Sequence, residues 1–125
     1  MTKDEMNQLT ENIISCAYTV SNKLGCGFLE KVYENAMVIE MKKRDFNVSQ
    51  QYPIKVMYDN ICVGEYFADL FVNKEIIIEL KTAKAIEDIH MAQLLNYLKA
   101  TNKKVGLILN FAKPKVEIKR MVNNL

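Results

Sequence analysis

The chain has 125 residues, 50% of them apolar and 26% charged, with 17 basic against 15 acidic side chains and a formal net charge of +2. A chain of that size and composition buries a core of its own and forms one domain over residues 1–125, which excludes a disordered protein. Four glycines and two prolines exclude a collagen-like or low-complexity one, and a charge so near balance neither announces nor excludes a nucleic-acid partner.

Thr2 followed by Glu5 is a capping-box pattern, and Leu9, Ile13, Ala17, Val20 and Leu24 recur at helical spacing, so a first helix is expected from about Lys3 to Lys23. Gly25 and Gly27 supply the turn that ends it. Helical spacing of Leu29, Val32, Ala36 and Ile39 predicts a second helix from Phe28 to about Lys43 with that stripe facing the core. After Asp45 the period changes to two: a strand opens near Pro53 and Ile54, turns at Asp59-Asn60 into Ile61–Val72, and turns again at Asn73-Lys74 into Glu75–Lys81. A third helix is expected over Ala85–Thr101, a buried strand over Val105–Asn110, and an edge strand or extended tail around Val116, Ile118 and Arg120. The order predicts an α/β sandwich, in the wider sense α+β, around a mixed sheet flanked by helices.

Cys16, Cys26 and Cys62 contain no CxxC pair and are expected as reduced thiols in the core of a cytoplasmic protein. The segment Met1-Thr2-Lys3-Asp4-Glu5 lacks the pattern of a secretion signal, and no apolar run approaches the ~20 residues that span a bilayer, so no membrane partner is expected.

Charges inside apolar strands carry the most information. Ile76-Ile77-Ile78-Glu79-Leu80-Lys81 puts Glu79 and Lys81 on one face of a hydrophobic strand, and Asp69 interrupts Tyr66–Val72 in the strand before it. Two strand carboxylates with a lysine beyond them could hold a hard cation such as magnesium or manganese and the water it activates. On the second helix Gly27, Glu30 and Tyr33 lie three apart with Glu34 beside them, and on the third Gln93 and Tyr97 are neighbours four apart. His90, the only histidine, has no partner nucleophile in the pattern and is read as a packing or supporting residue. Lys99, Lys103, Lys104, Lys113, Lys115, Lys119 and Arg120 make the C-terminal third locally basic, a group that could track phosphates or be a solvated surface.

Gly27-Phe28-Leu29-Glu30-Lys31-Val32-Tyr33 resembles the signature of the GxxExxY proteins, Asp69 with Glu79-Leu80-Lys81 resembles the D…(D/E)xK motif of the PD-(D/E)XK nuclease superfamily, and Gln93–Tyr97 is similar to the QxxxY motif of its exonuclease-like branch. The motifs occur in the family's order and the similarity runs from about Leu9 to Arg120, with Ala68 where the superfamily has the leading proline. The resemblance implies a restriction-endonuclease-like αβββαβ core. It also implies a Mg2+ or Mn2+ ion held by Asp69, Glu79 and the Leu80 backbone carbonyl, with Glu30 approaching directly or through water. Lys81 would assist the attacking water, and Gln93, Tyr97 and Tyr33 would position substrate.

A shared metal constrains the strand register. A plain two-residue turn at Asn73-Lys74 would set Asp69 against Ile78 and put Asp69 and Glu79 on opposite faces. A three-residue loop or a bulge is therefore expected between them. The leading expectation is a metal-dependent phosphodiesterase acting on nucleic acid, DNA ahead of RNA, with a homodimer able to embrace a duplex. The alternative is a non-catalytic nucleic-acid-binding or regulatory module that keeps the nuclease fold, its Asp69, Glu79 and Lys81 forming a structural ion-pair cluster.

Overall fold

Thr2 accepts the Glu5 N–H at 3.1 Å and donates its own N–H to the Glu5 carboxylate at 3.0 Å, closing the capping box at the start of α1 (Lys3–Leu24). These contacts come from a computed structural model describing residues 1–125. Gly25 and Gly27, with φ of 69 and 112, make the turn into α2 (Glu30–Lys43), which begins two residues later than the pattern indicates. The α2 face differs from expectation as well. Tyr33, Met37 and Met41, each fully buried, face the core with Val38 and Glu34, while Leu29, Val32 and Ile39 are exposed. Two stripes of helical period compete on this segment, and the row of larger side chains spaced four apart is the one that packs.

β1 (Val48–Tyr58) and β2 (Ile61–Val72) form a long hairpin through Asp59 and Asn60, whose φ of 48 and 63 suit the tight turn that joins right-twisted strands. β1 begins earlier than expected, and Pro53 lies inside it; as the outer strand of the sheet, β1 tolerates the missing N–H. Asn73, Lys74 and Glu75 form the three-residue connection to β3 (Ile76–Lys81), and Val72 faces Ile76, which brings Asp69 level with Glu79 as a shared site requires. α3 (Asp88–Thr101) crosses from β3 to the parallel strand β4 (Val105–Asn110), and β5 (Glu117–Val122) closes the far edge.

The five strands lie in the order β1-β2-β3-β4-β5, a mixed sheet with α1 and α2 on one face and α3 on the other. This is the α+β arrangement expected from the sequence. The strand pair β1–β2 turns over partway along. Ala68 joins the α3-side core and Leu70 the α1/α2-side core, although residues two apart in a strand normally share a face. The reversal falls at Asp69, opposite Gln51, whose φ of 50 marks the irregularity. Of the three cysteines only Cys16 is buried; Cys26 in the glycine turn and Cys62 near the hairpin tip are exposed, and all are free. That corrects the core placement expected for them. No helix is long and apolar enough to cross a membrane.

Candidate active site

β2 and β3 part company beyond Leu70 and Ile78, the last pair of their ladder on this side. In the opening, the Leu80 N–H that would have met β2 backbone donates to Asp69 Oδ2 at 2.8 Å. A strand residue's N–H and C=O lean to the same edge, so the Leu80 carbonyl also faces this opening. Asp69 Oδ1 accepts from Gln51 Nε2 at 3.3 Å, and the same amide donates to Glu34 Oε1 at 2.9 Å. Glu34 Oε2 is held in turn by Gln50 Nε2 at 2.6 Å and Lys31 Nζ at 2.8 Å. A polar relay thus runs from α2 through the irregular part of β1 to Asp69. Gln50 and Gln51 carry no local sign of this role in the sequence, because their partners lie in other elements.

Glu79 is 7% exposed, and its Oε1 is a buried oxygen without a hydrogen-bond partner. Burial first, and the Asp69 carboxylate next, push its pKa from the ordinary 4.5 up to about 8, with Lys81 opposing them. Lys81 belongs to none of the four ion pairs in the molecule. The structural cluster in which Lys81 neutralises both acids by ion pairing is therefore not formed; the half-buried ammonium is in no ion pair. On α3, Gln93 Nε2 donates to the Tyr97 hydroxyl at 3.0 Å. Tyr97 packs in the α3-side cluster with Ile77, whose strand face Glu79 shares, so the QxxxY pair lies on the Glu79 side of the sheet; burial first, and Glu79 next, raise the Tyr97 phenol's pKa.

The GxxExxY residues do something different. Gly27 provides the left-handed turn, Glu30 Oε2 accepts the Thr82 N–H at 3.0 Å, and the Tyr33 hydroxyl donates to Gly25 O at 2.7 Å. Tyr33 also stacks on Phe111 with centroids 4.5 Å apart and is fully buried. Tyr33, expected to position substrate, is fully buried and braces the glycine turn, and Glu30 clamps the loop that follows Lys81. Asn110, which the sequence reading passed over, clamps the same loop from β4: its Nδ2 donates to Ala83 O at 2.8 Å and its Oδ1 accepts the Ala83 N–H at 3.1 Å. An asparagine closing the apolar run Val105–Asn110 was the available signal. His90 Nδ1 accepts the Glu87 N–H at 3.0 Å and so caps α3. The C-terminal basic residues are spread out, with Lys115 over the Tyr18 ring and Arg120 bonded to Asn7.

No group of three or more His, Cys, Asp or Glu side chains lies close enough to hold a metal ion, so a three-carboxylate centre including Glu30 is not assembled. Two carboxylates and a carbonyl remain, and magnesium is commonly held by one or two carboxylates with waters completing its shell. The partnerless Glu79 oxygen is the test of fit. A buried acceptor left unpaired is costly, and a cation there would satisfy it and keep the pair ionised. Asp69, Glu79 and the Leu80 carbonyl fit such an ion.

The sequence model of the PD-(D/E)XK nuclease superfamily matches residues 7–121. The fold is similar to the crystal structure of SSO0001, with a TM-score of 0.55 and 17% identity over 76% of this chain. The chain spans 50% of that protein's length. No curated protein matches the chain in sequence.

Proposed function

The chain belongs to the PD-(D/E)XK nuclease superfamily, and from that membership we propose that it is a Mg2+- or Mn2+-dependent nuclease of the GxxExxY group, hydrolysing phosphodiester bonds of nucleic acid, DNA ahead of RNA. The observation that carries the reading is the partnerless Glu79 oxygen beside Asp69, at the point where β2 and β3 diverge. A bound divalent cation would supply Lewis-acid polarisation of a phosphate and a water of lowered pKa. The chain's own residues do the rest. The Leu80 N–H and Gln51 fix Asp69 so that little reorganisation accompanies binding. Lys81, free of any carboxylate partner, is available to a phosphate oxygen or to the attacking water, where its charge opposes the negative charge that develops. Gln93 and Tyr97 offer an amide and a phenol to the substrate on the α3 side. A cytoplasmic location belongs to this reading, as does a homodimer as the means by which so short a chain would embrace a duplex substrate.

Incubating the purified protein with single- and double-stranded DNA and RNA, with magnesium or manganese, tests it. Metal-dependent cleavage lost in Glu79→Ala and Lys81→Ala is expected; no cleavage, or cleavage equal in both variants, overturns it. Metal titration followed by thermal melting should raise Tm for the wild type and not for Asp69→Ala. The second reading, a non-catalytic module retaining the fold, draws on Glu30, whose bond to Thr82 leaves only two carboxylates at the centre. A melting shift without cleavage of any substrate would favour it.

A further inference from the structure

The β1–β2 hairpin outruns the rest of the sheet. β2 pairs with β3 only from Leu70 to Val72 but stays paired with β1 as far as Ile61. The free part of the hairpin stands over α3, and the two enclose a groove of about 850 Å3. Lys55, Met57 and Tyr66 line it from the hairpin and Ile89, Asn96 and Lys99 from the helix; no Asp or Glu lines it. A bulge between Val56 and Met57 leaves Val63 unpaired, and Val63 joins the wall. The groove includes the bonded pair Gln93 and Tyr97, and Tyr97 packs in one cluster with Ile77, the residue that precedes Glu79 on the α3 face of β3.

The chemistry of the walls narrows the occupant. Lys99 is exposed and no acid lines the groove, which favours an anion, whereas Lys55 lies opposite Glu65 in the β1–β2 ladder and is already charge-matched. Tyr66, 47% exposed, lies with its ring centroid 5.7 Å from that of Tyr97, and Met57 and Ile89 extend the apolar surface. A small inorganic anion would leave those surfaces unmatched. Unpaired nucleotides present a charged phosphate and a bare aromatic face in every repeat, the combination that sequence-tolerant single-strand sites recognise. A duplex keeps its base faces in its own stack, and the groove has the size of a small-ligand cleft.

We propose that this groove binds an unpaired stretch of nucleic acid and leads it past Tyr97 to Asp69 and Glu79, so that the substrate is a single strand or a frayed end. The destination rests on the nuclease reading; the binding does not, since no groove residue is a metal ligand.

Fluorescence anisotropy in EDTA tests the binding alone, with the full chain and labelled single-stranded DNA, single-stranded RNA of the same sequence, and the duplex. Either single strand should bind at least about tenfold tighter than the duplex, and the tighter of the two names the polymer. Tyr66→Ala should weaken strand binding about fivefold or more, the effect of losing one stacked base at ~1 kcal/mol, while Tyr66→Phe stays within about twofold. Replacing Lys99 by Gln should flatten the slope of log affinity against log salt by about 0.7, the value for one phosphate contact on a single strand. Circular dichroism checks folding; if Tyr66→Ala does not fold, the strand-over-duplex preference and the salt slope decide. Duplex binding as tight as single-strand binding, or strand binding indifferent to Tyr66 and Lys99, overturns the proposal. Indifference would leave the groove to another occupant such as an apolar peptide. Cleavage with magnesium is scored separately. Groove-dependent strand binding without cleavage upholds the groove and counts against the nuclease; cleavage with groove-independent binding does the reverse.

Discussion

Along β3, Ile76, Ile78 and Leu80 point towards α1 and α2 and join a cluster of 20 buried residues, while Ile77 points towards α3 and joins one of eight. The next position on the α3 face is Glu79, a carboxylate where the other face has leucine. One six-residue strand thus serves two purposes. Its α1/α2 side is anchored by a deep apolar layer, and that anchoring lets the α3 side carry a carboxylate with one partnerless oxygen, an ammonium outside any ion pair and an open groove without losing the fold. A shallow core is also what leaves room for polar groups to reach solvent and substrate.

The largest stability effect should come from the deep side. Tyr33→Ala removes the ring stacked on Phe111 and the hydroxyl bonded to Gly25 O, and about 3–5 kcal/mol should disappear in urea denaturation. A loss near 1 kcal/mol would mean that the deep layer does not carry the molecule.

Glu79 gives the next effect, through pH. The folded chain holds its proton to about pH 8, whereas the unfolded chain releases it near 4.5. The folded state therefore binds more protons between those values, and the associated stability, fully present below pH 4.5, is lost as pH rises through 8. Without metal, Glu79→Gln should match the wild type at the acid end and exceed it by roughly 2–4 kcal/mol above pH 8. Added magnesium should narrow that gap by stabilising only the wild type. A gap that does not change with pH would show that Glu79 is satisfied in the folded chain and would remove the strain assigned to the α3 side.

How much of this was legible in the sequence depended on whether the signal was local. α1 was readable because its cap and apolar stripe lie in one segment, and the hairpin because Asp59-Asn60 turns directly between alternating runs. The three-residue connection to β3 followed from asking two acids to share a face. The inward face of α2 was not readable, since two apolar stripes share that helix and only packing against Phe111 and the sheet selects one. The relay Glu34–Gln51–Asp69 was beyond reach for another reason: its members are 17 and 18 residues apart, joined by a break in strand regularity that leaves no periodic mark. Motif spacing could name Asp69, Glu79 and Lys81, but not the bonds that orient them.

A smaller change probes how tightly the shallow side is packed. A Cβ added at Gly106 on β4 would lie 2.8 Å from Leu94 Cδ1 and 3.0 Å from its Cγ, and Leu94 is fully buried. Gly106→Ala should cost about 1–3 kcal/mol, measured by thermal melting. If it costs nothing, α3 can slide on the sheet and the groove's width is adjustable.

The smallest effect separates scaffold from chemistry on that same helix. His90 accepts the Glu87 N–H at 3.0 Å, as a residue in the first turn of a helix does when it reaches back to the cap. His90→Ala should lower stability by about 0.5–1 kcal/mol, and His90→Gln, whose side-chain oxygen can accept the same bond, should recover most of it. Because the imidazole is engaged with the helix start, the pH profile of cleavage should be the same in all three proteins. A profile that moves in both variants would make the only histidine part of the reaction, and α3 would then contribute a titrating group as well as the walls of the groove.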